Sequence, residues 1–239
     1  GADKAYALAA TSDGGYIMSG YHGLGVGVNR ILVIKTDSLG NEEWHKIYGN
    51  SARNVSRAVI PLPDGGYMIG AETSGEEFSG DFEDIFLLRL DGNGDTLWTK
   101  TYVTDGVDGL FDLKLCPDRG FVIAGYRLEP GNSYADGYAL KVDSLGNEEW
   151  NKSYTIGDDF ELFIDVEVLP DSGFIFRGEA ELGLPFVKEN WILRTNSDGE
   201  EIWSKHYGWE HSEYGRGGLI TMENSIITAG STPSFSNNT

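Results

Sequence analysis

The sequence of 239 residues has one cysteine, four histidines and few basic side chains. A lone Cys116 allows neither an internal disulfide nor a cysteine-based zinc cluster. The 18 lysines and arginines face 38 aspartates and glutamates, a formal charge of −20, which predicts repulsion of nucleic acid and of anionic membranes. No apolar run reaches the roughly 18–20 residues that span a bilayer. We therefore expect neither a nucleic-acid partner nor membrane insertion.

Glycine is abundant instead, with 33 residues, roughly twice ordinary usage. Aromatic residues make up 12 % of the chain and include six tryptophans. Glycine, asparagine and aspartate stand between short aromatic or β-branched runs, a pattern that predicts short strands joined by tight turns. The length is sufficient for a sizeable hydrophobic core.

A repeat of about 50 residues organises the sequence. Its marker is Trp-x-Lys-x-Tyr, in which tryptophans recur at intervals of 54, 52 and 53 residues: Trp44, Trp98, Trp150 and Trp203. An Asp-x-x-Gly or Asn-x-x-Gly turn precedes each tryptophan, ending at Gly40, Gly94, Gly146 and Gly199. A second turn lies earlier in each unit, ending at Gly15, Gly66, Gly120 and Gly173. Glycine suits these turns because they require a positive φ.

Four short strands fit each repeat, over about 5–11, 16–21, 30–36 and 42–48 in the first. Four antiparallel strands repeated in this way are typical of β-propeller blades. We predict an all-β propeller of about 4.5 blades, as one domain or a fragment of one, with a shorter-repeat β-solenoid as the alternative. The predicted blades are 1–49, 50–103, 104–155, 156–208 and a partial 209–239.

The segment Lys35-Thr-Asp-Ser-Leu-Gly-Asn-Glu-Glu-Trp44 resembles the blade motif of quinoprotein-like (PQQ-type) propellers. With the Asp-Gly-Gly-Tyr turn at 13–16, it is even more similar to propeller repeats of secreted Bacteroidota proteins that carry type IX secretion sorting domains. The resemblance implies a tryptophan that docks adjacent blades and an extracellular or cell-surface setting. It implies little chemistry, and no quinone ligand set is recognisable. The fifth repeat stops after its second predicted strand, so we expect a piece of a larger propeller.

Loops of variable length and composition fall on one predicted rim, which is where recognition is expected on a rigid scaffold. One side-chain oxygen per repeat lies there, at the entry to the first strand: Asp3, Asn54, Asp108, Glu161 and Glu213. These residues are candidate ligands for a hard cation such as Ca²⁺. The alternative is a strand-entry hydrogen bond that each repeat needs for folding. No other cofactor is predicted.

Alternation along the first strands predicts polar side chains facing a central channel in the third and fourth repeats. The two tryptophans outside the repeated motif are predicted to lie at the rim. Together these residues form the candidate ligand-binding set: Asp112, Lys114, Asp165, Glu167, Trp191 and Trp209. The alternative is a water-filled channel in which Lys114 pairs with a neighbouring carboxylate.

No recognisable catalytic motif is present, because the histidines lack metal-ligand spacing and no Gly-x-Ser-x-Gly occurs. The main hypothesis is a non-catalytic extracellular module that binds a protein or a glycan, or acts as a spacer. The alternative is a polysaccharide hydrolase or lyase that uses carboxylates at the channel mouth.

Overall fold

The computed structural model describes residues 2–25, 27–49, 53–74, 84–157, 159–182 and 188–208, and the backbone of 214–220 and 226–231. Within these residues all regular secondary structure is β-strand, and no helix suited to crossing a membrane is present among them. The chain forms two compact units, Gly1–Leu115 and Cys116–Thr239. The prediction of an all-β fold built from antiparallel blades is confirmed.

In the first unit, β1 to β4 and β5 to β8 form two runs of four antiparallel strands, blade 1 and blade 2. One parallel bridge between Asn29 and Arg53 connects the blades, and β9 packs against blade 2. The strands are β1 (Asp3–Ala10), β2 (Tyr16–Gly25), β3 (Val28–Thr36), β4 (Glu42–Tyr48), β5 (Arg53–Pro61), β6 (Tyr67–Ser74), β7 (Asp84–Leu90), β8 (Thr96–Tyr102) and β9 (Val107–Leu115).

In the second unit, β10 to β12 pair in antiparallel order, β13 to β16 form blade 4, and β17 pairs with β18. Strand β13 packs against β10 and β11. The strands are β10 (Phe121–Leu128), β11 (Asp136–Val142), β12 (Glu148–Tyr154), β13 (Glu161–Val168), β14 (Phe174–Glu181), β15 (Lys188–Thr195), β16 (Glu201–Tyr207), β17 (Tyr214–Ile220) and β18 (Ile226–Ser231).

The repeated turns are held by their own side chains. In the first turn of blade 1, Asp13 Oδ1 accepts a hydrogen bond of 3.0 Å from the amide of Gly15. In the second turn, Asp37 Oδ1 accepts from the amides of Leu39 and Asn41 at 2.9 and 2.8 Å. Gly40 follows with φ of +82°, which glycine adopts cheaply. The later blades repeat both arrangements at Asp64, Asp91, Asp118, Asp143, Asp171 and Asn196.

A buried basic side chain near the end of the third strand pairs with the aspartate of the first turn in four blades. The Lys35 ammonium, on a side chain that is 4 % exposed, lies 2.8 Å from Asp13 and 2.7 Å from Glu43. Burial works to lower the pKa of Lys35, but the two carboxylates outweigh it and raise that pKa. Lys141 repeats this arrangement with Asp118 and Glu149 at 2.7 and 2.6 Å. Arg89 pairs with the first-turn Asp64, and Arg194 pairs with the first-turn Asp171.

Within each unit, the Trp-x-Lys-x-Tyr motif of one blade contacts the second turn of the next. In the first unit, a Cβ added to Gly94 would lie 2.9 Å from the Trp44 ring, and Lys46 pairs with Asp95 at 2.5 Å. In the second unit, the Trp150 indole donates to the Ser197 carbonyl at 3.1 Å. The docking role that the resemblance implies for this tryptophan is therefore seen at Trp44 and Trp150.

Candidate functional site

A polar pocket opens in the second unit, where the loop after β10 meets the loop between β12 and β13. Its volume is about 460 Å³, and it is lined by Gly131, Asn132, Ser133, Tyr134, Asp136, Thr155, Gly157 and Asp159. We call it the Asp136 pocket. Tyr134 is 47 % exposed beside it, which leaves an aromatic ring available to a ligand. Both loops belong to the rim on which the sequence predicts recognition.

Carboxyl groups dominate the chemistry of the Asp136 pocket. Asp136, the first residue of β11, and Asp159 are both half-buried at its wall. Burial raises the pKa of Asp136, and the nearby Glu129 carboxylate raises it further. A carboxyl group with a raised pKa at a cavity wall is suited to proton donation.

Glu161 lies behind the pocket as the first residue of β13, and its side chain is fully buried. Thr155 Oγ1 donates to Glu161 Oε2 at 3.4 Å, whereas Oε1 has no hydrogen-bond partner among the described residues. Burial raises the pKa of Glu161 to about 7, and Asp136 raises it further, although the backbone of Gly157 and Ile156 and the Thr155 hydroxyl act in the opposite direction. Asp136 and Glu161 therefore interact electrostatically.

The first unit contains a counterpart of this carboxyl pair. Asp84 begins β7 as Asp136 begins β11, and Asp108 lies at the entry to β9 as Glu161 lies at the entry to β13. Burial raises the pKa of Asp84, and Asp108 contributes to the rise. Here Thr104 bridges the pair, donating from its amide to Asp84 at 3.3 Å and from its hydroxyl to Asp108 at 3.1 Å. The paired carboxylates thus recur at equivalent junctions.

The predicted metal ligands are in separate blades and bond locally. Asp3 Oδ1 lies 2.8 Å from His22 Nδ1, and the buried Asn54 accepts from Thr73 at 3.0 Å. Asp108 and Glu161 bond to threonines of the loops that precede their strands. Each of these four contacts is a hydrogen bond at a strand entry, the kind that the alternative interpretation expects in each repeat. Within the described residues, no group of three or more histidine, cysteine, aspartate or glutamate side chains is arranged to hold a metal ion.

The predicted ligand-binding set is distributed over both units. In the first, Lys114 pairs with Asp112 at 3.1 Å on the same strand, as the alternative interpretation expects for Lys114. In the second, Asp165 lies 3.5 Å from Arg177 on β14, and Glu167 is half-buried two residues beyond it.

Trp191 lies in the core and not at the rim, which corrects its predicted position. It falls within β15, is 1 % exposed and donates from Nε1 to Ser204 Oγ at 2.7 Å. Its ring centroid lies 4.5 Å from that of Phe163. The space exists because Gly137 has no side chain: a Cβ there would lie 2.6 Å from the Trp191 ring. Trp191 is therefore unavailable to a ligand in this arrangement.

Two predicted residues, Trp209 and Glu213, lie outside the described residues. Conversely, sequence reasoning missed Asp136 and Asp159 as site residues. A usable signal was present, because both residues fall in segments of variable length, 126–137 and 155–161, and the second of these ends at the strand-entry residue Glu161. What the sequence could not provide was their shared cavity.

Comparison with known proteins identifies the fold and no family. No family model matches the chain, and no curated protein is significantly similar in sequence. Among solved structures, the chain is similar to the endo-arabinase of Bacteroides thetaiotaomicron, with a TM-score of 0.57, 12 % identity, and coverage of 96 % of this chain and 89 % of that one. It is also similar to the α-L-arabinanase of Penicillium chrysogenum in complex with arabinobiose, with a TM-score of 0.56, 10 % identity, and coverage of 93 % and 68 %. The chain has the β-propeller fold.

Proposed function

We propose that this chain is an extracellular β-propeller protein that acts on a polysaccharide as a hydrolase, with the Asp136 pocket as its site. The observation that carries the proposal is the pairing, in one open polar cavity, of an exposed aromatic ring, Tyr134, with the carboxyl groups of Asp136 and Asp159. Aromatic rings offer apolar faces to sugar rings, and two carboxyl groups flanking a glycosidic bond are the usual apparatus for its hydrolysis.

Each residue has a distinct role in this proposal. Asp136 is the proton donor, because burial and Glu129 raise its pKa and so favour the protonated form. Asp159 is the second carboxylate at the cavity wall. Glu161 is a positioning residue, since its fully buried side chain supports the loop that carries Thr155 and Gly157.

Three further considerations support the proposal. The arabinanases that share the fold act on polysaccharides, and the resemblance to secreted Bacteroidota repeats favours an extracellular setting. The formal charge of −20 argues against a nucleic-acid partner.

The second candidate function is a non-catalytic module that binds a glycan or a protein through the same rim. It is favoured by the local bonding of Asp108 and Glu161, because these strand-entry carboxylates at the predicted channel mouth are engaged in holding loops. In that case Tyr134 supplies binding and Asp136 supplies polar contacts without turnover.

Release of reducing ends from a panel of plant and microbial polysaccharides tests the proposal. We expect Asp136→Asn to lower turnover by about 100-fold or more, the usual effect of losing a general acid. Its matched control is Asp84→Asn, the equivalent carboxylate in the first unit, which should leave turnover unchanged. Glycan binding that Tyr134→Ala removes, without turnover on any polysaccharide, would favour the second candidate.

A further inference from the structure

The charged side chains among the described lining residues of the Asp136 pocket are all acidic. Asp136 and Asp159 line it, and no lysine or arginine is among its described lining residues. The Glu129 carboxylate acts electrostatically on Asp136, and Asp136 acts on Glu161 behind the pocket. A ligand entering this pocket therefore meets acidic groups at its wall and behind it.

Arg127, the basic residue paired with Asp136 across the strands, directs its guanidinium to groups other than the pocket carboxylates. Arg127 is the cross-strand partner of Asp136 in the β10–β11 register. Its guanidinium carbon lies 3.8 Å from the centroid of the Tyr138 ring, and Nη1 donates to Asn151 at 3.3 Å. Its Nε lies 4.0 Å from Glu129. The guanidinium is therefore engaged with an aromatic ring, an amide and a carboxylate on the strand surface.

We infer that the Asp136 pocket selects glycans by charge, preferring chains whose sugars bear a protonated amino group over neutral chains and excluding chains that bear uronates. This inference rests on the proposed glycan-directed function and specifies its substrate class. A sugar ammonium gains an ion pair with the Asp159 carboxylate and favours ionisation of Asp136 beside it, whereas a uronate brings a like charge next to Asp159 and opposes that ionisation in a partly desolvated site. A neutral sugar has neither effect and lies between the two.

Calorimetric titration with three size-matched probes tests the inference: glucosamine oligomers, neutral arabino-oligosaccharides and oligogalacturonides. The pH is set so that the glucosamine amines are protonated. We expect glucosamine oligomers to bind at least about threefold more tightly than the neutral probe, as partly exposed ion pairs allow. Oligogalacturonides should show no binding. The ratio of amino-sugar to neutral-sugar affinity should decrease at high ionic strength, because salt screens attraction between partly exposed charges.

Variants assign the selectivity to the pocket. Asp136→Asn should bring the ratio of amino-sugar to neutral-sugar affinity towards one, and Asp159→Asn gives a second, independent reading should the first variant unfold. Glu201→Gln removes an exposed acid elsewhere in the second unit, and it should leave the ratio unchanged. Equal affinity for the amino and neutral probes, or binding of oligogalacturonides, would overturn the inference while leaving a glycan-directed function intact. Failure of every probe to bind would overturn both.

Discussion

The hydroxyl of Tyr48 donates a hydrogen bond of 2.6 Å to the backbone carbonyl of Gly94, across the junction between blades 1 and 2. The second unit repeats this bond between Tyr154 and Gly199 at 2.7 Å. Burial raises the pKa of both tyrosines, so each hydroxyl keeps its proton and remains a donor at neutral pH. One side chain of a repeated motif thus anchors a blade to the turn of the next.

Removing this anchor should destabilise the protein measurably. Tyr48→Phe leaves the ring in place and deletes only the donor, so we expect the free energy of unfolding to fall by about 1 kcal/mol. For a chain of this size, that corresponds to a decrease of roughly 2–4 °C in Tm. Tyr16→Phe is the control, because Tyr16 is 41 % exposed. A decrease as large in Tyr16→Phe would refute a special role for the cross-blade bond.

Alanine substitutions at Gly94 and Gly40 distinguish the cost of a left-handed backbone from the cost of overpacking between blades. Gly94 and Gly40 have φ of +76° and +82°, but a Cβ at Gly94 would lie 2.9 Å from the Trp44 ring, whereas nothing lies within 4 Å of one at Gly40. Both changes to alanine should carry the left-handed backbone cost of about 1 kcal/mol. Gly94→Ala should cost about 1–3 kcal/mol more through overpacking. Denaturant unfolding compares the two, and equal losses would show that the Trp44 contact is dispensable.

The two repeated lysines should differ in their contribution to stability. Lys46 pairs with Asp95 on the surface, with 33 % of its side chain exposed, so we expect Lys46→Met to cost less than about 1 kcal/mol. Lys35 is buried between two carboxylates, so Lys35→Met should cost about 2 kcal/mol or more. The pKa of Asp13 is lowered in the folded state, mainly by its hydrogen bond to Lys35. The contribution of this pair to the free energy of unfolding should therefore be complete at pH values above 3.8, the usual pKa, and should decrease as the pH falls below that value. If the free-energy cost of Lys35→Met does not change on acidification, the ion pairing of Lys35 with the two carboxylates does not contribute to stability.

Glu161 should make stability decrease as the pH rises towards neutrality. Its pKa is about 7 in the folded protein and 4.5 ordinarily, so the folded state holds a proton that the unfolded state releases between these values. Stability from this group is therefore greatest below pH 4.5 and is lost as the pH rises to about 7. Glu161→Gln cannot ionise and should show a flatter profile of Tm against pH. Glu201→Gln should follow the parent profile, and parallel profiles for all three proteins would argue against a buried, protonatable Glu161.

Much of the fold could be predicted from the sequence because its determinants are local and repeated. The Asp-x-x-Gly turn needs only an aspartate that accepts nearby amides and a glycine with positive φ, as Asp37 and Gly40 provide. The pairing of Lys35 with Asp13 and Glu43 was not predicted, although Asp13 and Lys35 recur in register, because it depends on how the first turn, β3 and β4 align in the folded blade.

The site was harder to predict because the space available to a side chain depends on the size of neighbouring residues that are distant in sequence. Trp191 is apolar and bulky at a predicted rim position, yet the absence of a Cβ at Gly137 admits its ring to the core. Asp136 is one acid among 38 in composition, and only burial beside Glu129 and Glu161 distinguishes its chemistry.

The sequence by itself determined the number and order of strands in a repeat and the turns that join them, because these follow from backbone conformation and from a period that can be read directly. The docking role of the repeated tryptophan was an expectation from the resemblance, and the structure shows the contact at Trp44 and Trp150. Only the tertiary structure decided which acidic side chains are desolvated together, since desolvation depends on contacts between residues distant in sequence. The Asp136 pocket, formed by loops that no repeat constrains, therefore emerged only from the folded chain.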